Sequence, residues 1–243
     1  MDTTDGHLLG GRLIYRQPTV GFRSGIEPVL LAASIPARPG DHVLEAGSGA
    51  GAALLCLAGR VPGVHVTGVE IDPETAALAV INAGANRFPD IAVVVDPIET
   101  VALPRRFDHA MANPPYHLSA GSVSPIAVRE TAKRGSETMI TGWIERLSRS
   151  LRPRGSLTLI VPASAVPVCL SAMAGARCGC TAIFPLWPKT DRPAKLVLLR
   201  GVKDSRAPLR LMPGLIMHRP DGSLSDAAQA VLRDAAPLPV DTP

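Results

Sequence analysis

The chain has 243 residues, 46% of them apolar and 3% aromatic, with a formal net charge of +4. That length and apolar share suit one sizeable core, as expected of a single α/β domain. The longest nearly apolar run, Leu157 to Leu170, is broken by Pro162 and Pro167 and is shorter than the roughly 18 residues of a membrane span, and the four cysteines and six histidines have no paired ligand spacing. No membrane association, no metal and no disulfide framework are therefore expected. The cysteines read as small buried apolar residues.

In chain order, the polar and acidic start Met1 to Asp5 does not read as a signal peptide, so a soluble, cytoplasmic protein is expected. The first strong signal is a short apolar strand over 42–46 that runs into the glycine-rich turn 47–51, followed by a helix over 52–60. Glycines there let a ligand approach the backbone closely. A second strand, 64–70, ends in Glu70, and a helix follows over 73–87. A third strand, 91–95, ends in Asp96-Pro97. A fourth, 107–113, closes on Asn113-Pro114-Pro115-Tyr116. Beyond it come a helix over 136–151, a strand over 155–161 and a helix over 163–174. Strands at 181–186 and 194–200 should form a hairpin-like edge, with 209–211 and 215–218 as a small terminal pair before a helix over 225–234. The tail 235–243 is expected to be disordered. This alternation of strand and helix describes a doubly wound, mostly parallel sheet, and in such sheets the strand ends form the ligand crevice.

Four polar groups sit at those strand ends. Each proline of Asn113-Pro114-Pro115 fixes its own φ, lacks an N–H and restricts the residue before it. The turn therefore offers a side-chain amide oxygen and backbone carbonyls with few competing donors, which suits a planar –NH2 group that donates two hydrogen bonds. Tyr116 adds a flat ring on which a planar substrate can stack. The plain alternative is a proline-rich turn ending a strand. For the glycine turn two ligands compete. Gly47, Gly49 and Ala52 satisfy the dinucleotide spacing G-x-G-x-x-A, with Glu70 close to the ribose acid such sites carry. Against that reading, Glu45 would face a pyrophosphate unfavourably, yet it could pair with the ammonium of a methionine moiety. S-adenosyl-L-methionine carries that ammonium and no phosphate, and Asp96 is placed to accept from its adenine amine.

Glu45-x-Gly47-x-Gly49-x-Gly51, Glu70, Asp96 and Asn113-Pro114-Pro115-Tyr116, in that order, resemble the class I S-adenosylmethionine-dependent methyltransferases that modify exocyclic amines. Within that group Gly21-Phe-Arg23-Ser-Gly25-Ile-Glu27-Pro-Val-Leu-Leu31 and the stretch 205–218 look like their counterparts in the bacterial tRNA1(Val) adenine-N6 methyltransferases. Here Glu27 stands where an aspartate is usual, and His117 where an aromatic is usual. The resemblance implies a Rossmann-like, seven-stranded sheet with an antiparallel edge strand. It also implies a segment 1–40 packing over the donor and substrate site, a core over 41–201 and a basic extension over 202–234. Donor contacts would fall to Gly25, Glu27, Glu45, Gly47, Ser48, Gly49, Gly51, Glu70, Ile71, Asp96, Pro97 and Asn113, and catalysis to Asn113 through Tyr116.

Charge is uneven. From Lys189 to Arg219 eight basic residues face two acids, a surplus of six, so the rest of the chain is −2. A basic region beside an amine-modifying crevice is the footprint of a phosphate backbone, and Arg23, His117, Arg192, Lys195 and Arg206 are the candidate RNA contacts. Arg146, Arg149, Arg152 and Arg154 extend the expected patch, as do Arg12 and Arg16. The expected activity is methylation of an adenine amine at N6 in RNA, with the resemblance supplying tRNA. A protein glutamine methyltransferase, a guanine-N2 ribosomal RNA methyltransferase and a non-catalytic donor-binding module stay open as alternatives. The glutamine enzymes resembled here would require a helical domain ahead of the glycine turn, which about forty residues do not supply.

Overall fold

The computed structural model describes residues 2–19, 25–103, 106–115 and 126–240. Ten strands and six α-helices alternate along it. A hairpin opens the chain, β1 (Thr3–Leu8) and β2 (Leu13–Pro18), followed by α1 (Glu27–Ser34). Then come β3 (His42–Ala46), α2 (Ala52–Arg60), β4 (His65–Glu70), α3 (Pro73–Ala85), β5 (Ile91–Val95) and β6 (Phe107–Ala112). The second half carries α4 (Ile126–Ser150), β7 (Leu151–Pro162), α5 (Val166–Gly175), β8 (Cys178–Trp187), β9 (Leu196–Lys203), β10 (Leu215–Ile216) and α6 (Asp226–Asp234).

Eight strands form one sheet in the order β10-β8-β9-β7-β6-β3-β4-β5. All run parallel except β9, which pairs antiparallel with both β7 and β8. The reversed strand is thus flanked on both sides rather than lying at the edge, and β10 adds an eighth strand outside β8. The expected terminal pair does not form. Leu211 bridges Ile183 and β10 pairs with Leu186 and Trp187, so both short segments satisfy the open edge of β8 instead of each other. Strands β3, β6 and β7 are buried on both faces, which is why they read as near-continuous apolar runs.

The two faces carry separate cores. One is built from α1, α2, α6 and the hairpin, with Leu30, Leu54, Leu57 and Val231 in it. The other is built from α4 and α5, with Ile140, Ile144, Leu147 and Met173. Helix α2 is buried from Ala52 to Ala58 and needs no polar face. Two features were not expected from the sequence. The hairpin β1–β2 forms a second sheet, stapled to α3 by Asn82 and Asn86 (Arg16 N–H to Asn82 Oδ1 2.9 Å, Ile14 N–H to Asn86 Oδ1 2.9 Å). The tail is packed, not disordered, through residue 240. Its Leu238 N–H donates to Ala33 O at 2.8 Å, and Leu238 and Val240 are buried, because their two apolar side chains fill the first core.

Helix α1 ends on carbonyls that distant segments satisfy. Arg60 of α2 donates to Ala32 O (3.0 Å) and Ile35 O (2.6 Å), and Arg200 of β9 donates to Ser34 O and to Thr158 Oγ1 (3.2 Å). A helix terminus leaves its last carbonyls unpaired unless something like this supplies donors.

Candidate functional site

Strand order reverses at β3, whose neighbours are β4 on one side and β6 on the other, and in an open α/β sheet the crevice lies beyond the carboxyl ends of the strands at such a point. A cavity of about 810 Å³ opens there. Glu45 of β3, Glu70 of β4, Asp96 after β5 and Asn113 after β6 all line it, as do Pro114 and Pro115. Each acid reaches it because its strand ends where the apolar run ends.

The turn between β3 and α2 is a tight cradle. Gly47, Gly49 and Gly51 have φ of 66°, 55° and 87°, a region that glycine enters without strain. Gly47 and Ser48 donate backbone N–H groups to Val69 O at 2.8 and 3.1 Å, which stitches the turn to β4. A Cβ at Gly47 would stand 2.7 Å from the Trp143 ring. Glu70 braces the same turn, accepting from Gly49 N–H at 2.9 Å and Asp72 N–H at 3.0 Å.

Two buried polar atoms in this cradle have no protein partner, Glu45 Oε2 and Ser48 Oγ. Glu45 is 3% exposed. Burial first, and then the Glu70 charge, push its carboxyl well above the usual carboxylate range. A buried acceptor without a donor is costly, and both atoms line a cavity, so a ligand donor fits them. The donor set matches S-adenosyl-L-methionine on that ground: an acid for an ammonium, an acid at a strand end for a diol, a third for an amine, and glycine backbone between them.

The N-terminal segment contributes Tyr15, Pro18, Gly25, Glu27 and Pro28 to the cavity. The Glu27 carboxylate lies against Gly25, where a Cβ would make it swing aside. Ile71 and Pro97 line the cavity too, Ile71 being 67% exposed. Arg23, Tyr116 and His117 lie outside the described residues. Several wall residues had no sequence signal. Trp143 and Met139 project from α4, and Trp143 Nε1 donates to Glu99 Oε1 at 3.0 Å. On an amphipathic helix a tryptophan reads equally well as core.

The basic block 189–219 does not form one face. Arg192 and Lys195 lie in the loop between β8 and β9, at the cavity end of the sheet. Arg206 follows the far end of β9, next to Ser205, which lies against Gly179 at the start of β8, because the reversed strand carries the chain away from the site. Arg200 is 1% exposed, held inside by Ser34 and Thr158, and presents nothing to a partner. Arg146 turns inward to Val101 O, and Arg152 pairs with Asp108 at 2.7 Å. Arg16 pairs with Asp5 at 2.7 Å and Arg12 with Asp234 at 3.6 Å. Cys56, Cys169 and Cys178 are buried. Among the described residues no cluster of three metal-ligating side chains occurs, and no helix is long and apolar enough to cross a membrane.

The family profile described as "Methyltransferase small domain" matches residues 26–165. A tRNA1(Val) (adenine(37)-N6)-methyltransferase of Porphyromonas gingivalis is 34% identical over 160 residues, covering 60% of this chain and 61% of the relative. The chain thus aligns with about three fifths of that relative's length. One of the same name from Aeromonas hydrophila is 28% identical over 209 residues, covering 84% and 86%. The crystal structure of a predicted O-methyltransferase from Agrobacterium tumefaciens superimposes with a TM-score of 0.72 at 24% identity, covering 89% of this chain and all of that one, which shows the fold.

Proposed function

Because the chain belongs to the methyltransferase small domain family, we propose that it transfers a methyl group from S-adenosyl-L-methionine to the N6 amine of an adenine in RNA, with tRNA as the substrate. The observation that carries this reading is the meeting of Asn113 with Glu45, Glu70 and Asp96 in one cavity. The cofactor, S-adenosyl-L-methionine, supplies a methyl on a positively charged sulfur, open to displacement by a nucleophile. Glu45 and Ser48 hold its amino-acid end, Glu70 its ribose and Asp96 its adenine. Ile71 and Pro97 cover the apolar surface between them. Gly25 and Glu27 close the cavity from the N-terminal side.

An adenine –NH2 is a weak nucleophile because its lone pair is conjugated with the ring, so the protein has to orient it rather than deprotonate it. Asn113 Oδ1 and the Pro114 carbonyl accept its two hydrogens and hold the lone pair toward the methyl, while Tyr116 stacks on the base. Positioning of this kind is worth on the order of 7–11 kcal/mol, against roughly 1–3 kcal/mol for one stacking contact. The extra proton leaves to water after transfer. A base inside a duplex cannot reach such a turn, so the substrate adenine has to be unpaired or flipped. The names of the relatives from P. gingivalis and A. hydrophila support adenine and tRNA over a glutamine amide.

The test is transfer of radiolabelled methyl to total tRNA followed by nucleoside mass spectrometry. Label should appear as N6-methyladenosine, and Asn113→Ala should lower its rate by at least about 100-fold, the cost of a misplaced acceptor. Label on protein or on ribosomal RNA would keep the chemistry and replace the substrate.

A further inference from the structure

A second cavity, about 490 Å³, opens on the outer flank of the sheet, between the loop 188–192 and the pair His218 and Pro220. Trp187 ends β8 just before this loop, and Leu196, which opens β9 just after it, lines the main cavity. Four residues of chain, at most about 14 Å when extended, join Arg192 in one cavity to Leu196 in the other. Both cavities lie at the same end of the sheet.

Its walls are tied together. Lys189 Nζ donates to Pro220 O at 2.9 Å, and His218 N–H donates to Pro188 O at 3.1 Å. His218 Nδ1 stands 3.2 Å from the same Pro188 carbonyl. A carbonyl only accepts, so Nδ1 carries the proton and Nε2 of the neutral ring is an acceptor. The cavity therefore offers two kinds of group. Lys189 and Arg192 are cations, while Asp191, 3.9 Å from Arg192 Nε, and His218 Nε2 accept hydrogen bonds. Thr190 can do either.

That mixture selects a ligand class. A bare phosphate would meet the Asp191 carboxylate, and an apolar group would answer none of the five polar residues. A phosphate joined to a sugar hydroxyl answers both kinds, the phosphate at Lys189 and Arg192 and the hydroxyl at Asp191 and His218. The 2′-hydroxyl both donates and accepts, and it is what separates RNA from DNA.

We propose that this second cavity takes a ribose-phosphate unit flanking the target nucleotide and reads its 2′-hydroxyl. The inference rests on RNA being the substrate. The test uses the RNA found by methyl labelling, made with single 2′-deoxy substitutions on either side of the target adenosine, and KM and kcat measured separately. With the native protein one such substitution should raise KM about tenfold with little change in kcat. In His218→Ala the same substitution should have no further effect. Lys189→Ala should raise KM about tenfold and lower the salt slope by about one ion. Binding of S-adenosylhomocysteine, read by calorimetry, should stay within twofold in both variants, which also shows that they fold. Unchanged KM in both variants, or a deoxy penalty that persists in His218→Ala, overturns the proposal while leaving RNA methylation intact. Absence of transfer from the native protein to any RNA would instead sink the RNA reading, and this inference with it.

Discussion

At the scale of single residues, Glu45 is a buried carboxyl whose Oε2 has no donor in the protein. Its carboxyl is raised because burial penalises the charge and Glu70 repels it. The folded state therefore keeps a proton that the unfolded chain has already lost. Stability from this group is full below the unfolded carboxylate pKa of about 4.3, and it falls as pH rises from there until the folded pKa is passed. Glu45→Gln removes that loss. At neutral pH it should unfold several degrees higher than the native protein, a gain on the order of 1–3 kcal/mol, and the gain should vanish near pH 4. The same variant should bind S-adenosylhomocysteine at least about tenfold more weakly, for want of a charge-assisted bond to the ammonium. Thermal melts across pH, with calorimetry, check both. Glu45, Glu70 and Asp96 could be located from sequence because an apolar run fixes where a strand stops and the next polar residue must turn outward. Trp143 and Tyr15 could not, since only tertiary packing sends them to the cavity. Arg200 misled for the mirror reason: counting charges along a chain does not reveal which one a strand turns inward.

Among elements, the join between hairpin and α3 shows side chains imitating a strand. Asn82 and Asn86, one turn apart, each give an amide oxygen and an amide N–H to the backbone of β2 (Asn82 Nδ2 to Arg16 O 2.7 Å, Asn86 Nδ2 to Ile14 O 2.7 Å). They repeat what a neighbouring strand would offer. Asn82 also donates to Ala50 O at 2.9 Å, inside the glycine turn. Asn82→Ala should cost on the order of 2–3 kcal/mol, because buried partners are left unanswered, while Asn86→Ala, at a half-buried position, should cost less than about 1 kcal/mol. Urea unfolding separates the two, and only the first should weaken donor binding. The parallel strands β3 to β6 were legible as apolar runs punctuated by glycine and acids. The hairpin was not, because Thr3–Leu8 is polar and alternates only between exposed and half-buried positions.

For the whole molecule, the late segment 238–240 belongs to the core. A chain stopped after Ala235 would lose Leu238 and Val240 from the first core, a cost of about 3–5 kcal/mol, visible as a lower urea midpoint. Prolines around two isolated apolar residues gave the stretch the look of a loose tail, since lone apolar positions carry no period. The tail meets α1 at Ala33, between the carbonyls that Arg60 and Arg200 hold. Arg60 comes from the half of the sheet that bears the three acids, and Arg200 from the half that continues beyond Asn113. One short helix is thus a keystone under both jaws of the crevice. Their gape thus has a fixed gauge, set by the frame and not by the hairpin β1–β2, which pairs outside the main sheet.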